Sequence, residues 1–353
     1  MGKGIILIAP ESPPFGGMAT QACLLKEGLT RENIQVFFVP TNKSPKLFSE
    51  KLWLLPVFRT VGKVFIYVAG ILRSLKYCSS IHILACSHLY FYLNVIPAIV
   101  IGRIYKKRVV VNYRGGEAES FFKGFAGHFL NVFKLSDSFI VPSGYLKSIF
   151  GEFGIQVKVI PNIAQIDKFH FSPPHYKHHI KFICTRNFEA YYDILTLIKS
   201  FQLVRNDLPT VSLTLIGDGS LKQDIQDCVK RSGLTGCVKF LGKVDSQDMP
   251  YYLSCHDIYV NSSVVDNYPI SILEAFSSGL PVISTSAGGI PYLIENDITG
   301  ILVAPKDYKA LARKMIDLAN DPELGRNLAE NARRIADDHS WSKIWSALKK
   351  IYG

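Results

Sequence analysis

Short apolar runs rich in β-branched residues alternate along the chain with stretches of helical periodicity. Six runs occupy the first half: IILIA (5–9), QVFFV (35–39), IHIL (81–84), RVVVNY (108–113), SFIVPS (138–143) and VKVIPN (157–162). Six more begin at residue 181: KFICT (181–185), SLTLIGDG (212–219), CVKFLG (237–242), DIYVNS (257–262), PVIST (281–285) and GILVA (300–304). Because strands that alternate with helices form parallel βαβ units, the pattern predicts two similar α/β halves.

The region between the halves is predicted to be a linker. Residues Ile163 to His179 show no clear periodicity and contain Ser172-Pro173-Pro174, which is typical of connecting segments. The tail is predicted to form two helices. One runs from Pro322 to about Asp337, and the other has apolar residues at helical spacing: Trp341, Ile344, Trp345, Leu348 and Ile351. This stripe fits packing in a core, and the last helix could cross back to brace the first half.

We therefore expect a first domain over 1–162, a linker over 163–179, a second domain over 180–335, and a C-terminal helix over 336–353 that packs on the first domain. Length supports two domains, because single cores stop growing near roughly 250–300 residues and this chain has 353. With 48% hydrophobic and 20% charged residues, the composition is that of a globular chain.

The formal net charge of +11 bears on partners rather than on fold. Nucleic acid, an anionic membrane surface and polyphosphate substrates would all fit a basic chain. No motif for nucleic-acid readout is present, and the Lys and Arg residues are scattered along the sequence. We therefore favour a phosphate-bearing substrate and a peripheral contact with an anionic membrane surface, and we expect no nucleic-acid partner.

The cysteines and histidines predict neither disulfides nor a metal site. The seven cysteines are an odd number without CxxC spacing, which indicates reduced thiols and a cytoplasmic protein. His175, His178 and His179 lack cysteine or carboxylate partners at ligand spacing, which favours a solvated loop over a metal site. The N-terminal GIILIAP is too short for a signal peptide and fits a first strand.

Two apolar segments raise the question of a membrane span. Leu52 to Tyr77 is interrupted by four cations, which favours an amphipathic surface helix: Arg59, Lys63, Arg73 and Lys76. Ile81 to Gly102 carries no charged residue over 22 positions. It nevertheless includes two histidines, an asparagine and a proline, and it divides naturally into a strand and a buried helix. We therefore predict no transmembrane helix.

The most specific chemistry lies in SSVVDNYPISILEAFSSGLPVISTSAGGIPYL (262–293). Asp266 and Glu274, separated by seven residues, flank a proline-initiated helix that leads to a buried strand and a Gly-Gly turn. A helix N-terminus presents unpaired N–H groups and a positive dipole, which attract anions. The carboxylates suit sugar and ribose hydroxyls rather than phosphate. The segment therefore predicts a nucleotide-sugar site, although both carboxylates would also fit helix capping.

A second candidate region follows the first predicted strand. PESPPFGGMATQ (10–21) contains Phe15-Gly16-Gly17 and opens a helix. Without side chains at Gly16 and Gly17, the backbone could approach a bulky anion at the helix N-terminus, beyond the carboxyl ends of the strands where α/β sheets bind ligands. The motif is neither GxGxxG nor GxxxxGK[ST], and a flexible strand-to-helix turn fits it equally well.

Several motifs occur together in one order: FGGMATQ, VIPN before the linker, Arg186 at a strand end, IGDGS, VKFLGKV and DNYPISILEAFSSGLPVIST. In this combination the chain resembles a retaining glycosyltransferase of family 4 over nearly its whole length, and the last motif is the most specific. The resemblance implies the α/β GT-B fold, in which two Rossmann-like, doubly wound domains face each other across a cleft. It also implies that the first domain binds the acceptor and the second binds the nucleotide-sugar donor.

Motif positions imply roles in donor binding. Glu274 matches the second carboxylate of the family's E-x7-E element, which grips ribose hydroxyls, and Asp266 stands at the first position, near the donor sugar and its anomeric carbon. Ile270 and Ser271 are expected to offer backbone N–H groups to the diphosphate. Further donor contacts are expected from Asn267, Gly217, Tyr191, and the loop residues Gly16 and Gly17.

The expected catalytic residues are Asp266, Arg186 and Arg114, and the family pattern is altered around them. Asp266 replaces the usual Glu and is one methylene shorter. Arg186 matches the arginine that neutralises the departing diphosphate, but Tyr191 stands where a Lys is frequent and brings no charge. Arg114 stands where a strand-end His is frequent. Its guanidinium could replace the missing Lys at a phosphate or meet an anionic acceptor. A surface salt bridge is the alternative for both arginines.

The resemblance implies metal-independent, retaining transfer of a sugar from a UDP- or GDP-linked donor to a glycan or lipid-linked acceptor. The product would be a cell-surface polysaccharide, lipopolysaccharide or glycolipid, made in the cytoplasm or on the cytoplasmic face of a membrane. No cofactor besides the donor substrate is expected. Positive groups aimed at the leaving diphosphate would supply most of the stabilisation. A nucleotide-sugar 2-epimerase and a non-catalytic nucleotide-sugar-binding subunit stay open as alternatives.

Overall fold

The structure, a computed structural model, describes residues 4–11, 17–43, 56–173 and 179–352. These ranges contain a strand at each place where the sequence predicts one: β1 (Gly4–Ala9), β2 (Val36–Pro40), β3 (Cys78–Ala85), β4 (Arg108–Tyr113), β5 (Ser138–Val141), β6 (Lys158–Val159), β7 (Lys181–Cys184), β8 (Ser212–Ile216), β9 (Val238–Gly242), β10 (Ile258–Asn261), β11 (Val282–Thr285) and β12 (Ile301–Val303). The strands form two six-stranded parallel sheets, which confirms the predicted α/β class with two Rossmann-like halves.

Helices connect the strands within the same ranges: α1 (Gly17–Arg31), α2 (Pro56–Ser74), α3 (Ile96–Ile104), α4 (Ala118–Lys123), α5 (Gly144–Glu152), α6 (Ile194–Asp207), α7 (Lys222–Arg231), α8 (Met249–Ser254), α9 (Ile270–Ser278), α10 (Tyr308–Asn320), α11 (Pro322–Asp337) and α12 (Trp341–Tyr352). A π-helical turn, Phe91–Val95, leads into α3, and a long 3-10 segment spans Phe125–Leu135. The chain divides into two compact units: the first unit is residues 1–163 with 341–353, and the second unit is residues 164–340.

The first unit is built on a sheet with strand order β2-β1-β3-β4-β5-β6. Successive side chains of a strand point to opposite faces, and β1 buries both. Ile6 and Ile8 face a core formed with α2, α3 and α5, whereas Ile5 and Leu7 face a core formed with α1 and α12. A strand covered on both faces is apolar at every position, which explains the continuous apolar run IILIA.

The C-terminal helix α12 belongs to the first unit. Its apolar stripe is buried against α1: Ile344, Leu348 and Ile351. At the start of the helix, Trp341 Nε1 donates a hydrogen bond to a carboxylate oxygen of Glu32 at 3.0 Å. The stripe thus completes one of the two cores of the first unit.

The second unit has strand order β12-β11-β10-β7-β8-β9. Helices α6, α7 and α10 cover one face of this sheet, and α8, α9 and α11 cover the other. The direction of winding reverses between β7 and β10. Open α/β sheets bind ligands beyond the carboxyl ends of the strands at such a switch point, so the loops after β7 and β10 lie where a ligand site is expected.

Two boundaries differ from the sequence prediction. Residues 164–173, predicted as part of a linker, belong to the second unit, where Ala164, Ile166 and Phe169 join the core beside α9. Their pattern is irregular because a 3-10 turn and extended chain, rather than a helix or strand, carry these side chains. Ala336 is buried in the same core, so residues 336–340 also belong to the second unit, and the last helix begins at Trp341.

The two apolar segments have the structures that the sequence predicts. Residues 56–77 form α2 and a 3-10 turn, Leu75–Tyr77, while residues 52–55 lie outside the described ranges. Ile81 to Gly102 contributes to β3 and α3. Of the helices that the structure describes, none has the length and apolar content required to cross a membrane. All seven cysteines lie in the described ranges, and none of them forms a disulfide.

Gly28 allows α12 to pack closely on α1. It lies inside α1, and a Cβ there would overlap the ring of Trp341. We expect Gly28→Ala to lower the free energy of unfolding of the first unit by roughly 1–3 kcal/mol, because an overpacked contact must open. Denaturation followed by tryptophan fluorescence measures this unit specifically, because residues 164–340 contain no tryptophan.

Gly151→Ala in α5 is the matched control for this substitution. No atom lies within 4 Å of its Cβ position, so the higher helix propensity of alanine should stabilise the unit by about 0.5–1 kcal/mol. Similar changes for the two variants would contradict the close packing of α12 on α1.

Candidate functional site

Two charged side chains meet beyond the carboxyl end of the second sheet. Arg186 follows β7, and Asp266 lies in the loop between β10 and α9. They form an ion pair in which the side chains are only 9% and 11% exposed. The Arg186 guanidinium also donates from Nη1 to Ser271 Oγ at 3.1 Å, and it lies 3.8 Å from the ring centroid of Tyr192. The structure therefore brings together Arg186, Asp266 and Ser271, three residues that the sequence predicts for one site.

One hydrogen-bond donor of Arg186 is unused. Its Nε is buried without a partner, and in the described part of the chain no other buried side-chain nitrogen or oxygen lacks one. Such a donor is costly to leave unsatisfied, so an incoming acceptor would be stabilised there. Burial is the largest single effect on Arg186 and disfavours its charged form, but Asp266 together with Tyr192, Tyr259 and Cys184 raises the pKa of the guanidinium. The group therefore stays cationic.

The N-terminus of α9 lies beside this pair. Pro269 precedes the helix in an extended conformation. Among the described residues, no acidic side chain lies in the first turn of α9, and no side chain caps its N-terminus. The N–H groups of Ile270 and Ser271 are among those that a helix leaves without intrahelical partners. Because Arg186 contacts Ser271, a guanidinium and a helix dipole can act on the same anion.

A Gly-Gly turn supports the loop that carries Asp266. The N–H of Gly289 donates to the Asp266 carbonyl at 2.9 Å. A Cβ on Gly288 would overlap the Asp266 carbonyl oxygen, and one on Gly289 would overlap that of Asn267. Glycine is therefore required at both positions for this approach. The N–H of Asn267, a buried residue, donates to Asp266 Oδ1 at 2.9 Å, which orients the carboxylate toward Arg186.

Gly217, predicted as a donor contact, lies against the backbone of Arg186. A Cβ at position 217 would overlap the Arg186 carbonyl and would lie 3.2 Å from the Cα of Asn187. The N–H of Gly217 donates to the Gly242 carbonyl at 2.9 Å, which ties the end of β8 to the end of β9. Gly217 thus has a positioning contact with Arg186, and its contact with a donor stays a prediction.

Glu274 lies on α9, four residues after Ile270 and therefore on the same side of the helix. Burial raises the pKa of its carboxyl group to about 7, and Arg186 opposes this rise. Burial also raises the pKa of Asp266, again opposed by Arg186. The two carboxyl groups thus differ in their surroundings: Asp266 is paired directly with Arg186, whereas Glu274 has only the more distant attraction of Arg186 against the effect of burial.

The other predicted site residues divide into three groups. Tyr191 lies beside the ion pair, with a 46% exposed side chain and a carbonyl that accepts from the Val264 N–H at 2.8 Å. Gly17 begins α1, and no atom lies within 4 Å of its Cβ position. Gly16 lies outside the described residues, and so do His175 and His178, which the sequence assigns to a solvated loop rather than to a site. Over the ranges that the structure describes, no three His, Cys, Asp or Glu side chains form a group suited to a metal ion.

In the first unit, Arg114 follows β4 and contacts two asparagines. Its Nη1 donates to Asn112 Oδ1 at 3.2 Å, and its Nη2 donates to Asn162 Oδ1. Asn162 belongs to the VIPN motif. Burial lowers the pKa of the guanidinium. A side chain held in this way is rigid and presents its cation at the carboxyl end of the first sheet.

The same network includes His82 and Tyr352, which sequence reasoning did not assign to a site. Asn112 Nδ2 donates to His82 Nε2 at 3.3 Å, because its Oδ1 already accepts from Arg114. The proton of His82 is then on Nδ1, which donates to the Tyr352 hydroxyl at 2.6 Å. Burial lowers the pKa of His82 to about 3, and Arg114 adds to this effect. A neutral histidine therefore links α12 to Arg114, over a separation that no local motif reveals.

We expect Asp266→Asn to lower the free energy of unfolding of the second unit by roughly 3 kcal/mol, because it leaves the Arg186 cation buried without its counter-ion. Chemical denaturation followed by far-UV circular dichroism, with hydrogen exchange of the α9 amides, would measure the loss. The matched control is Asp227→Asn. It breaks an exposed pair with Lys230 at 3.9 Å, and we expect a change of at most about 0.5 kcal/mol. Equal losses would contradict the importance of the buried pair.

The two parts of the chain match two family descriptions. Residues 15–168 match Glycosyltransferase Family 4, and residues 165–335 match Glycosyl transferases group 1. Among curated proteins, the chain is 31% identical over 167 residues to N-acetyl-alpha-D-glucosaminyl L-malate synthase of Bacillus anthracis. The matched segment covers 47% of this chain and 43% of that protein. The chain is 31% identical over 150 residues to the sulfoquinovosyl transferase SQD2 of Arabidopsis thaliana, covering 42% and 28%. The chain thus spans less than half of the length of these relatives.

Solved structures show the same fold along nearly the whole chain. HepE from Anabaena, crystallised with UDP-glucose, has a TM-score of 0.73 at 20% identity and covers 99% of this chain and 98% of that one. Sucrose-phosphate synthase from Thermosynechococcus elongatus has a TM-score of 0.77 at 17% identity, with the same coverage. These similarities establish the GT-B type of fold. With both family regions present, the chain belongs to the group 1, family 4 glycosyltransferases.

Proposed function

We propose that the protein is a retaining glycosyltransferase that moves a sugar from a UDP- or GDP-linked donor to a glycan or lipid-linked acceptor. The observation that carries this proposal is the buried Nε of Arg186, an unused donor on a cation beside the N-terminus of α9. A guanidinium and a helix N-terminus together suit a diphosphate. Family membership and the UDP-glucose complex of HepE support the same choice of ligand.

Each part of a nucleotide-sugar has a partner in the second unit under this proposal. The diphosphate would accept hydrogen bonds from Arg186 and from the N–H groups of Ile270 and Ser271. Glu274 would accept from the ribose hydroxyls, and Asp266 from a hydroxyl of the donor sugar. Additional contacts are proposed from Asn267, Gly217, Tyr191, and from Gly16 and Gly17 of the first unit. The first unit would bind the acceptor.

The Arg186–Asp266 pair implies an exchange of partners when the donor binds. In the structure the Asp266 carboxylate is the counter-ion of Arg186. A diphosphate carries more negative charge than one carboxylate, so it would draw the guanidinium toward itself. Asp266 would then turn to a sugar hydroxyl and gain a new donor for its hydrogen bond. This exchange needs little movement, because Arg186 and the short Asp266 side chain start in contact.

In the proposed reaction, the bond between the anomeric carbon and the diphosphate oxygen breaks through an oxocarbenium-like state. The acceptor oxygen bonds to the anomeric carbon on the same face, and its proton leaves with the diphosphate. Arg186 and the α9 N–H groups would stabilise the charge that develops on the leaving group, in the role that a metal ion has in other enzymes. Arg114 would add a second cation, at a phosphate or at an anionic acceptor.

We also propose the cellular setting of this reaction. The acceptor would be part of a cell-surface polysaccharide, a lipopolysaccharide or a glycolipid. Because lipid-linked acceptors reside in a bilayer, the protein would work in the cytoplasm and on the cytoplasmic face of a membrane. No cofactor beyond the donor substrate enters the proposed reaction.

Release of nucleoside diphosphate tests the proposed activity. We would screen UDP- and GDP-sugars by thermal shift, since a bound donor stabilises the folded state, and then measure nucleoside diphosphate by mass spectrometry with and without acceptor. We expect release that depends on acceptor.

Arg186→Gln and Arg114→Ala should each lower turnover by about 10²–10³, the effect of removing one group that stabilises the leaving charge. The exposed Arg313→Gln in α10 is the control and should have no effect.

The same measurement separates the alternatives. Turnover of the sugar without any acceptor would reveal epimerase chemistry. Donor binding without release, for every donor tried, would indicate a non-catalytic subunit. If Arg114→Ala and Arg114→Lys both match the unaltered protein in donor affinity and turnover, the role proposed for Arg114 is wrong.

Donor affinity should depend on pH through Glu274. Its pKa of about 7 lies above the usual value of 4.5, so the group is protonated below pH 7 and ionised above it. An ionised carboxylate accepts hydrogen bonds more strongly than a carboxylic acid. We therefore expect the affinity for a nucleotide-sugar, whose diphosphate does not titrate in this range, to rise between about pH 6 and pH 8. Isothermal titration calorimetry measures this rise, and it should vanish in Glu274→Gln. A rise that persists in Glu274→Gln would show that another group is responsible.

A further inference from the structure

The net positive charge of the chain comes from the first unit. Residues 1–163 and 341–353 contain 22 Lys and Arg against 8 Asp and Glu, whereas residues 164–340 contain 18 against 21. The net charge of +11 is thus +14 in one unit and −3 in the other. Within the first unit, residues 51–116 contain ten Lys and Arg and no Asp or Glu at all. The charge of this region favours an anionic partner.

Helix α2 exposes an apolar stripe in the same region. Val61, Phe65 and Leu72 are 62%, 75% and 43% exposed. Their spacing of four and seven residues places them on one side of the helix. Tyr67 and Ile71, on another side, are buried in the core beneath. The stripe therefore faces away from the sheet, and packing within the unit does not account for it.

Neighbouring elements extend this apolar surface. Ile104 at the end of α3 is 68% exposed, and Phe125 at the start of the 3-10 segment is 72% exposed. Helix α2 contacts α3, and α3 contacts the 3-10 segment. All three elements bury their inner sides in one core. We call the exposed apolar side chains of these three adjoining elements the basic apolar face: Val61, Phe65, Leu72, Val100, Ile104 and Phe125.

Cations accompany these side chains. Arg73, Lys76, Arg103 and Lys106 are exposed at the ends of α2 and α3, and neither those helices nor the 3-10 segment contains Asp or Glu. The nearest carboxylate in sequence, Asp137, lies 3.8 Å from Arg103 and offsets only that cation. Exposed aliphatic and aromatic side chains surrounded by Lys and Arg are typical of elements that lie in the interface of an anionic bilayer.

We propose that the basic apolar face docks the first unit on an anionic lipid bilayer, with the apolar side chains inserted among the acyl chains and the cations at the headgroups. Nucleic acid would satisfy the cations but not the aliphatic side chains. A second copy of the chain would bring two +14 units together, and like charges repel. An anionic bilayer matches both the cations and the apolar side chains. The docking proposal rests on the proposed function only in one respect, that docking would give access to a lipid-linked acceptor.

Vesicle flotation with the full chain tests this docking. We would compare vesicles of phosphatidylcholine with vesicles of an equal mixture of phosphatidylcholine and phosphatidylglycerol. The protein should bind the second kind, and binding should weaken with salt. Phe65→Asp and Leu72→Asp should each weaken binding at least about tenfold, because each removes a large inserted side chain. Arg73→Ala should weaken it by about fivefold.

Matched substitutions in the second unit control for surface charge. Ile298 is 45% exposed, like Leu72, so Ile298→Asp makes the same kind of change outside the face. Lys309→Ala in α10 removes an exposed cation of the second unit. Both controls should bind vesicles as the unaltered protein does. Circular dichroism and nucleoside diphosphate release in solution would establish that the variants are folded.

Several results would overturn the proposal. The proposal is wrong if the protein does not bind anionic vesicles, or if it binds neutral vesicles as tightly as anionic ones. It is also wrong if Phe65→Asp and Leu72→Asp bind anionic vesicles as tightly as their controls do. If the two variants instead dissociate a dimer in analytical ultracentrifugation while vesicle binding is unchanged, the face contacts a second copy. Vesicle binding needs no donor, so a protein that binds vesicles without releasing nucleoside diphosphate would overturn the proposed activity and leave the docking intact.

Discussion

The ion pair between Arg186 and Asp266 is the interaction on which the second unit's site depends. Removing two charges from water costs several kcal/mol for each ion, and their attraction recovers this only when the geometry is fixed. The chain fixes it from both sides: Gly217 packs against the backbone of Arg186, and Gly288-Gly289 closes under the loop of Asp266. These glycines matter for chemistry because they determine where two charges sit.

The pair also sets the character of the residues around it. The Arg186 guanidinium acts on both nearby carboxyl groups, but it holds Asp266 directly while Glu274 has only its longer-range attraction against burial. Two carboxyl groups on one short segment therefore differ in the interactions that determine their pKa. The stacking of Tyr192 on Arg186 further restricts the guanidinium, so that its free Nε has a defined direction. A preorganised cation of this kind needs little rearrangement when charge develops on a leaving group.

The fold was predictable from sequence because its signals are local. Strands covered on both faces, such as β1, appear as continuous apolar runs. Asp266, Ser271 and Glu274 were also predictable as a group, since one loop and one helix carry all three. Arg186 required the family resemblance, because its position is defined by the end of a distant strand.

Other features could not be found in this way. Tyr192 acts through a stacking contact that no motif encodes. His82 and Tyr352 are 270 positions apart and meet only because α12 packs on the first unit. Residues 164–173 had no periodicity, yet they are part of a core, because irregular chain can bury side chains without repeating them at a fixed interval. Long-range packing thus determined each difference between the sequence prediction and the structure.

The position of α12 has a consequence for how the chain is synthesised. Ribosomes release a protein from its N-terminus, and domains usually fold in that order. Here one core of the first unit needs Ile344, Leu348 and Ile351. The first unit therefore cannot complete its core until residues 344–351 leave the ribosome, whereas residues 164–340 form the second unit by themselves. The nascent chain must hold β1 and α1 with one apolar face uncovered while residues 164–340 are synthesised, and the second unit is the first of the two that can complete its core.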